Sequence, residues 1–210
     1  MSDGQIGFRL YLITDRKLFG GEAAFFAGIE EALKAGVPAV QLREKDLAIR
    51  ELLSMAYRLK ELTEKYNARL FINDRVDVAL AVGAEGVHLG GAGMPASAAR
   101  KVGGAGMLIG VSTHGDEEAL KAEADGADFI TFGPVFETLS KIRYGTPLGV
   151  DQLREISMKV SIPVFALGGI KKENAQQALA AGSYGVALIS GILAATDIRT
   201  NTEEFMRLLE

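Results

Sequence analysis

The segment Arg69–Gly90, RLFINDRVDVALAVGAEGVHLG, contains one complete structural unit and indicates the fold of the whole chain. It begins with a short apolar run, Arg69–Asn73, and ends with a second one, Gly86–Gly90. The stretch between them ends at Val82-Gly83, where glycine suits the left-handed residue that terminates a helix. Short and nearly continuous apolar runs are typical of parallel strands that are buried on both faces. The segment therefore predicts a strand, a helix and a second strand parallel to the first.

The same unit recurs along the 210 residues. Pairs that end in glycine precede further apolar runs at Ala35-Gly36, Asp125-Gly126 and Ala181-Gly182. The complete set of predicted strands is Arg9–Thr14, Ala39–Arg43, Arg69–Asn73, Gly86–Gly90, Met107–Ser112, Asp128–Phe132, Pro163–Leu167 and Gly185–Ser190. Such strands, alternating with helices, predict an α/β fold of the (β/α)8 TIM-barrel type, with residues 1–210 as a single domain. A doubly wound open sheet is the alternative, but it usually needs fewer strands.

The composition excludes several kinds of chemistry. The chain has no cysteine and two histidines, which excludes disulfides, thiolate zinc sites and a three-histidine metal centre. Its net charge of −4 argues against nonspecific binding of nucleic acid. The start, MSDGQIGFRL, does not resemble a signal peptide, and the apolar stretch Gly185–Ala195 is too short to span a bilayer. We expect a cytoplasmic protein that acts on small molecules without nucleic-acid or membrane partners, and a homo-oligomer is compatible with this sequence.

The active site of a TIM barrel lies at the carboxyl ends of its strands, and those ends are polar here. The seventh strand leads into Gly168-Gly169 and the eighth into Ser190-Gly191. Barrels often bind a phosphate with these two loops, because glycines let backbone N–H groups approach an anion closely. We therefore predict a phosphate site here. The alternative is that these glycines only make tight turns.

The second strand ends in a cluster of charged residues. Alternation along a strand places Gln41, Arg43 and Lys45 on one side, toward the mouth of the barrel. Two cations and an amide on one face suit a second, more highly charged phosphate group. The alternative is a solvated cluster in which Glu44 and Asp46 pair with the two cations.

Two further segments carry candidate binding residues. Asp74 is a candidate ligand for Mg²⁺, and Asn73 could hydrogen-bond a heterocycle, although Asn-Asp is also ordinary helix-cap chemistry. Thr138, Ser140 and Lys141 offer two hydroxyls and a cation in the longest connection. That combination suits a loop that closes over phosphate, but it is equally common on ordinary protein surfaces.

The two histidines have different predicted roles. His114 follows the fifth strand in a loop, which makes it the conventional candidate for acid–base chemistry. His88 lies inside an apolar strand and is predicted to pack in the barrel with a satisfied hydrogen bond. Because no nucleophile–base pair is evident, we expect catalysis by charge stabilisation and positioning.

These motifs resemble the thiamine phosphate synthase family over nearly the whole chain and in the same order. They are QLREKD (Gln41–Asp46), FINDRVDVALAVGAEGVHLG (Phe71–Gly90), IGVSTH (Ile109–His114), GADFITFGPVFETLSK (Gly126–Lys141), IPVFALGGI (Ile162–Ile170) and the following GVALISGI. The resemblance implies a TIM barrel that joins hydroxymethylpyrimidine diphosphate to a thiazole phosphate. The expected products are thiamine monophosphate and pyrophosphate, and the expected cofactor is Mg²⁺.

The resemblance also implies a role for each matching residue. The diphosphate falls to Arg43, Lys45, Asn73 and Lys141, and the pyrimidine and its reacting carbon to Gln41 and Ser112. Asp74 is the implied metal ligand, and Gly169, Ile189 and Ser190 are the implied site of the thiazole phosphate. Thr138 and Ser140 would contact the thiazole or the loop that covers it. We predict Lys141, Ser112 and His114 as the catalytic set.

One departure from the family pattern is large. The family usually reads HLGQ-x-D-x-P after the fourth strand, whereas this chain has Gly91 and Gly93 at the glutamine and metal-binding aspartate positions. The same departure, together with Phe136-Glu-Thr138, resembles thiazole tautomerase, a relative that aromatises the thiazole phosphate and would use a histidine at His114. A tautomerase does not need the diphosphate-binding set, which is complete here. The sequence therefore favours the synthase, with the tautomerase and a non-catalytic phosphate-binding barrel as alternatives.

Overall fold

Eight parallel strands form a closed barrel in the computed structural model, which describes residues 6–91, 93–138 and 146–210. The strands are β1 (Leu10–Ile13), β2 (Ala39–Leu42), β3 (Arg69–Asn73), β4 (Gly86–Leu89), β5 (Leu108–Thr113), β6 (Phe129–Phe132), β7 (Val164–Leu167) and β8 (Gly185–Leu188). Each strand pairs with the next, and β1 pairs with β8 through Leu10 and Val186. Because the sheet closes on itself, the (β/α)8 prediction is confirmed and the open doubly wound sheet is excluded.

Helices follow the strands and form the outer layer. They are α1 (Glu22–Lys34), α2 (Ile49–Lys65), α3 (Val76–Val82), α4 (Ala96–Gly103), α5 (Asp116–Ala124), α6 (Gly149–Lys159), α7 (Lys172–Ala180), the short α8 (Ser190–Leu193) and α9 (Ile198–Leu208). In α2 the buried residues Leu52, Met55 and Leu59 recur at helical spacing and pack toward the strands. No helix in the described ranges has the length and apolar character needed to cross a membrane.

The predicted glycine turns are present between helices and strands. Gly83 ends α3 in the left-handed conformation, with φ of 67°, and its N–H donates to carbonyl oxygens of the last helical turn. Gly36, Gly126 and Gly182 also have positive φ values, of 95°, 87° and 93°. Because an L side chain is strained in this region, glycine is the residue that can turn each helix into the next strand.

Aromatic rings fill the interior of the barrel below its mouth. Tyr11, Phe71, Phe129 and Phe165 are fully buried, and Phe8, just before β1, packs against them. The ring centroids of Tyr11 and Phe71 are 5.3 Å apart, and those of Phe71 and Phe129 are 5.5 Å apart, both in edge-to-face geometry. The barrel is therefore closed to ligands along its axis, and the polar carboxyl ends of the strands are left as the place for a site.

Candidate active site

Three side chains from the ends of β2 and β3 form a directed chain of hydrogen bonds. Asn73 Nδ2 donates to Asp74 Oδ2 at 2.7 Å, and Gln41 Nε2 donates to Asn73 Oδ1 at 3.1 Å. An ionised carboxylate only accepts hydrogen bonds, so Asp74 sets the orientation of both amides. The Oε1 of Gln41 is left buried without a hydrogen-bond partner in the part of the chain that is described. This atom is an acceptor available to a donor group of a ligand.

The Asp74 carboxylate is held by β4. Its Oδ1 accepts a hydrogen bond from the N–H of Gly90 at 2.7 Å, and the Asp74 N–H donates to the carbonyl oxygen of His88 at 2.9 Å. The residue has a φ of 58°, a left-handed conformation that is uncommon for a residue with a side chain. Helix α3 begins at Val76 without a side-chain cap, so the helix-cap alternative for Asn73-Asp74 is wrong.

Glu44 is buried and supports the backbone next to Arg43. Its Oε1 accepts hydrogen bonds from Thr14 Oγ1 at 2.7 Å and from the N–H of Arg16 at 3.0 Å. Thr14 Oγ1 in turn accepts from the N–H of Arg43 at 2.9 Å. Burial raises the pKa of Glu44, because the charged form loses hydration there. Glu44 thus ties the loop after β1 to the end of β2.

The cations of β2 are not neutralised by Glu44 and Asp46. Asp46 Oδ2 lies 3.1 Å from both Arg16 Nη2 and Lys17 Nζ, which come from the loop after β1. Lys45 Nζ is instead 3.7 Å from Asp74 Oδ2. Arg43 is half-buried, and its guanidinium forms no hydrogen bond or ion pair within residues 6–91, 93–138 and 146–210. The alternative of a self-neutralised charge cluster is therefore wrong, and Arg43 is available for an anion.

His88 lies inside the barrel, as its sequence context predicts, but it also contacts a candidate site residue. Its Nε2 is 3.0 Å from Ser112 Oγ and 3.3 Å from Thr131 Oγ1, and its Nδ1 is 3.4 Å from Tyr11 Oη. Burial lowers the pKa of His88 to about 3, so the ring is neutral near pH 7. Sequence reasoning missed this contact, because nothing in the sequence links a buried histidine of β4 to a serine of β5.

His114 is exposed at the end of β5. Its Nδ1 hydrogen-bonds the carbonyl oxygen of Gly133, which requires the proton on Nδ1, and its backbone N–H donates to Glu118 Oε2 at 2.6 Å. The side chain therefore links the end of β5 to the start of the loop after β6. The predicted acid–base candidate lies at the mouth, on the side of β5 and β6.

The loops after β7 and β8 present backbone rather than charged side chains. Gly168 and Gly169 have φ values of 94° and 66°, and the Gly169 carbonyl accepts from Asn174 Nδ2 at 2.9 Å. A Cβ atom added to Gly169 would lie 2.7 Å from the carbonyl oxygen of Phe136, so the loop after β6 packs directly on this turn. Helix α8 begins at Ser190, immediately after Ile189, and the first N–H groups of a helix have no acceptor within it.

The loop after β6 is described only in part. Thr138 is half-buried, and Ser140 and Lys141 fall in residues 139–145, outside the described ones. Two small cavities flank the mouth: one of about 260 Å³ lined by Lys45, Asn73 and Asp74, and one of about 160 Å³ lined by Gly91, Gly93 and Ser112. A larger cavity of about 510 Å³ lies beside α2 and is lined by Arg16, Arg50 and Met55.

The described residues could hold Mg²⁺ only if a bound ligand supplied some of the oxygens that coordinate the ion. Within the described ranges no group of three or more histidine, aspartate or glutamate side chains could hold a metal. Asp74 offers one carboxylate, and Lys45 lies beside it. Mg²⁺ commonly keeps several waters and binds one or two carboxylates together with substrate phosphates. The single carboxylate of Asp74 agrees with that pattern if a ligand supplies the remaining oxygens.

Comparisons with known proteins agree with this architecture. A family model described as thiamine monophosphate synthase matches residues 10–192. A Geobacter sulfurreducens relative, provisionally named a thiamine-phosphate synthase, is 56% identical over 98% of this chain and 96% of its own. A thiamine-phosphate synthase from Clostridium novyi is 45% identical over 92% of this chain and 95% of its own.

A solved structure extends the agreement to three dimensions. The structure of a thiamine phosphate pyrophosphorylase from Pyrococcus furiosus has a TM-score of 0.87 and 42% identity, covering 96% of this chain and 95% of that one. A 3-hexulose-6-phosphate synthase has a TM-score of 0.74 at 17% identity, which shows only the shared barrel. The family model, the full-length identities and the fold lead to one assignment: the chain belongs to the thiamine monophosphate synthase family.

Proposed function

We propose that this chain is a transferase that joins hydroxymethylpyrimidine diphosphate to thiazole phosphate. One observation carries the proposal: among the described residues, neither the buried amide oxygen of Gln41, in β2, nor the guanidinium of Arg43, directly after β2, has a hydrogen-bond or ion-pair partner. A ring with hydrogen-bond donors suits the first group, and a diphosphate suits the second. The relatives that are named thiamine-phosphate synthases support this reading.

The reaction breaks one bond and forms another without a covalent enzyme intermediate. The bond between the pyrimidine's methylene carbon and the diphosphate oxygen breaks, and its electron pair leaves with pyrophosphate. The thiazole nitrogen then donates its lone pair to that carbon, which gives thiamine monophosphate. Because no proton has to move at either atom, the protein needs cations for the leaving group rather than a general base.

The diphosphate is assigned to the β2–β3 side of the mouth. Arg43 and Lys45 would pair with phosphate oxygens, and Asn73 Nδ2 has a second proton besides the one that it donates to Asp74. Lys141, from the loop after β6, is proposed as a further cation. These groups stabilise the negative charge that grows on pyrophosphate as the carbon–oxygen bond breaks.

The pyrimidine is assigned to the pocket above the aromatic interior. The Oε1 of Gln41 would accept a hydrogen bond from the amino group of the ring, because the Asp74–Asn73–Gln41 chain turns that oxygen away from its neighbours. Ser112, half-buried at the end of β5, is proposed to face the reacting carbon. Because the Gln41 side chain presents its oxygen to the ligand, the site selects a pyrimidine with a hydrogen-bond donor at that ring position.

Mg²⁺ is proposed as the cofactor, with Asp74 as the residue that would hold it. When bound, the ion neutralises diphosphate charge and makes pyrophosphate a better leaving group. The chain itself positions the carboxylate through the Gly90 N–H and the Asn73 amide, and it places Lys45 beside it. Gly93 leaves this acid without the second carboxylate that the family usually has at that position.

The thiazole phosphate is assigned to the opposite side of the mouth. Gly169, Ile189 and Ser190 would bind it through backbone N–H groups and the Ser190 hydroxyl at the start of α8. Thr138 and Ser140 are proposed to contact the thiazole from the loop after β6. This arrangement brings the thiazole nitrogen to the reacting carbon from the side opposite the diphosphate.

A thiazole tautomerase is the second candidate, because Gly91 and Gly93 replace the residues that a synthase usually has and His114 lies at the mouth. Purified protein given both substrates should release pyrophosphate and thiamine monophosphate in a Mg²⁺-dependent manner. No turnover across a range of Mg²⁺ concentrations, together with metal-free aromatisation of the thiazole tautomer, would instead assign the tautomerase. If neither reaction occurs while thiazole phosphate binds, the chain is a binding module.

A further inference from the structure

A buried chain of polar groups runs from the barrel interior to the mouth. Tyr11 and His88 are at most 1% exposed, whereas Ser112 is half-buried at the end of β5. The phenol oxygen of Tyr11 is 3.4 Å from His88 Nδ1, and His88 Nε2 is 3.0 Å from Ser112 Oγ. Within the described ranges the Tyr11 hydroxyl has no other hydrogen-bond partner. The imidazole therefore connects a deeply buried phenol to a side chain of the active site.

The hydrogen-bond requirements of Tyr11, Ser112 and Thr131 distinguish the two neutral forms of the His88 imidazole. If the proton is on Nδ1, Tyr11 must accept it, and the buried phenol proton then has no acceptor. In that form the Ser112 and Thr131 hydroxyls also compete for the single lone pair on Nε2. If the proton is on Nε2, the phenol donates to Nδ1 and Nε2 donates to Ser112. Both ring nitrogens and the most deeply buried donor are then satisfied.

We infer that His88 is a positioning residue, which keeps its proton on Nε2, donates it to Ser112 Oγ and so directs the Ser112 hydroxyl proton toward acceptor atoms in the mouth. Ser112 then acts as a hydrogen-bond donor to the bound substrate. The inference rests on the proposed function for the identity of that substrate, since Ser112 is placed there beside the reacting carbon. The His88 ring itself is too deeply buried to meet the ligand.

The environment keeps the imidazole in this neutral state. The ring is about 1% exposed, so an imidazolium would lose its hydration there. An imidazolium would donate from both nitrogens and leave the Tyr11 proton without an acceptor. The neutral Nε2–H form is the one that serves both neighbours.

Nitrogen NMR of the folded protein tests the tautomer directly. The chain has two histidines, so a ¹⁵N-histidine spectrum contains two rings, and His114→Gln assigns them. We expect the His88 signals to report a proton on Nε2 and none on Nδ1. The Tyr11→Phe variant should shift the ring toward a mixture of tautomers, because the donor to Nδ1 is gone. A wild-type ring that carries its proton on Nδ1, or one unaffected by Tyr11→Phe, overturns the inference.

Kinetics of matched variants test whether His88 acts through Ser112. The amide nitrogen of glutamine reaches the Nε2 position, whereas that of asparagine reaches only Nδ1. His88→Gln should therefore keep kcat within about threefold of wild type, and His88→Asn should lower it about tenfold. The free energy of unfolding, measured in urea, should be similar in both variants. The KM for the pyrimidine substrate, which depends on Gln41, should also be similar.

A double-mutant cycle with Ser112→Ala separates positioning from a merely structural role. Once the serine hydroxyl is gone, His88→Asn should lower kcat no more than about twofold further. If the two losses multiply instead, His88 does not act through Ser112 and the inference is wrong. The NMR result needs no substrate, so absent turnover in the wild type would count against the proposed function and leave the tautomer assignment intact.

Discussion

The two sides of the barrel mouth offer different kinds of group for binding an anion. On the β2–β3 side, Arg43 and Lys45 supply full charges, and the Asp74–Asn73–Gln41 chain sets the direction of the neutral groups. On the β7–β8 side, the candidate groups are backbone N–H groups shaped by Gly168 and Gly169 and the start of α8.

The difference predicts different sensitivities to mutation. A side-chain site loses function when one charge is removed, and its fold is left intact because that charge has few partners. A backbone site loses function when its conformation is changed, and the fold is affected together with binding. The two sides also suit different ligands, since a diphosphate carries more negative charge than a phosphate monoester.

Removal of Arg43 should have the largest effect on activity. Arg43→Ala is expected to lower kcat/KM for the pyrimidine diphosphate by about 10²–10³-fold, because a donor to the developing negative charge is lost. The free energy of unfolding should change by no more than about 0.5 kcal/mol, since the guanidinium has no partner in the described structure. Steady-state kinetics and urea unfolding measure the two quantities.

Two variants sharpen this prediction. Arg43→Lys keeps the charge but not the planar fork, so its activity should fall between those of Arg43→Ala and wild type. Arg50→Ala removes the same charge from the first turn of α2, where Arg50 lines the cavity beside that helix. If Arg43→Ala and Arg50→Ala show equal kcat/KM values, the β2–β3 side is not the diphosphate site.

On the opposite side, Gly169→Ala should have its main effect on folding. Gly83 provides a matched control, because its φ of 67° is nearly that of Gly169 at 66°, yet an added Cβ there meets nothing within 4 Å. Gly83→Ala should lower the free energy of unfolding by about 1 kcal/mol through backbone strain. Gly169→Ala adds a clash with the Phe136 carbonyl and should lower it by about 3 kcal/mol.

Urea unfolding of both variants and binding of thiazole phosphate to Gly169→Ala test this prediction. Equal losses of stability would mean that the loop after β6 yields to the new methyl group, so the turn is not shaped by close packing. Unchanged affinity for thiazole phosphate in a folded Gly169→Ala protein would remove Gly169 from the proposed site.

The same contrast explains which parts of the molecule the sequence could predict. The strands were predicted to within one or two residues, because a buried parallel strand is an almost continuous apolar run. The largest difference is at the last strand, which was predicted to extend to Ser190 but ends at Leu188, and Ser190 begins α8. An apolar run cannot mark that boundary, since Ile192 and Leu193 of the helix are buried as well.

The sequence predicted which residue types form the candidate site, but not which hydrogen bonds join them. Alternation along β2 indicated that Gln41 and Arg43 face the mouth. It could not show that Glu44 turns away to Thr14, because that contact depends on how the loop after β1 packs. The contact between His88 and Ser112 was equally hidden, since it depends on the relative position of β4 and β5.

Substitution of Gly93, where the chain departs from the family pattern, should have a smaller effect on stability and on Mg²⁺ affinity. A Cβ atom added to Gly93 would lie 2.8 Å from Asp74 Oδ1, whereas one added to Gly91 would meet nothing within 4 Å. Gly93→Asp should therefore place a second carboxylate against Asp74 and lower stability by about 1 kcal/mol without metal. With pyrophosphate present it should bind Mg²⁺ about tenfold more tightly, equivalent to about 1.4 kcal/mol.

Calorimetric titration with MgCl2 and thermal unfolding with and without the ion measure these changes. Gly91→Asp is the matched control, because it adds the same charge to the same loop away from Asp74. Equal Mg²⁺ affinities for Gly93→Asp and Gly91→Asp would show that proximity to Asp74 has no bearing on the metal. Asp74 would then lose its proposed role.

His114→Ala should have the smallest effect on synthesis, within about threefold in kcat, because the proposed reaction moves no proton at the reacting atoms. In a tautomerase the same change would lower kcat about 10²–10⁴-fold, the usual contribution of a general acid or base.

His114→Asn distinguishes a role in proton transfer from a structural role, because its amide can replace the Nδ1–H that donates to the Gly133 carbonyl. If alanine impairs synthesis and asparagine restores it, His114 supports the loop after β6. A large loss in both variants would instead mean that proton transfer limits the reaction, which contradicts catalysis by leaving-group stabilisation alone.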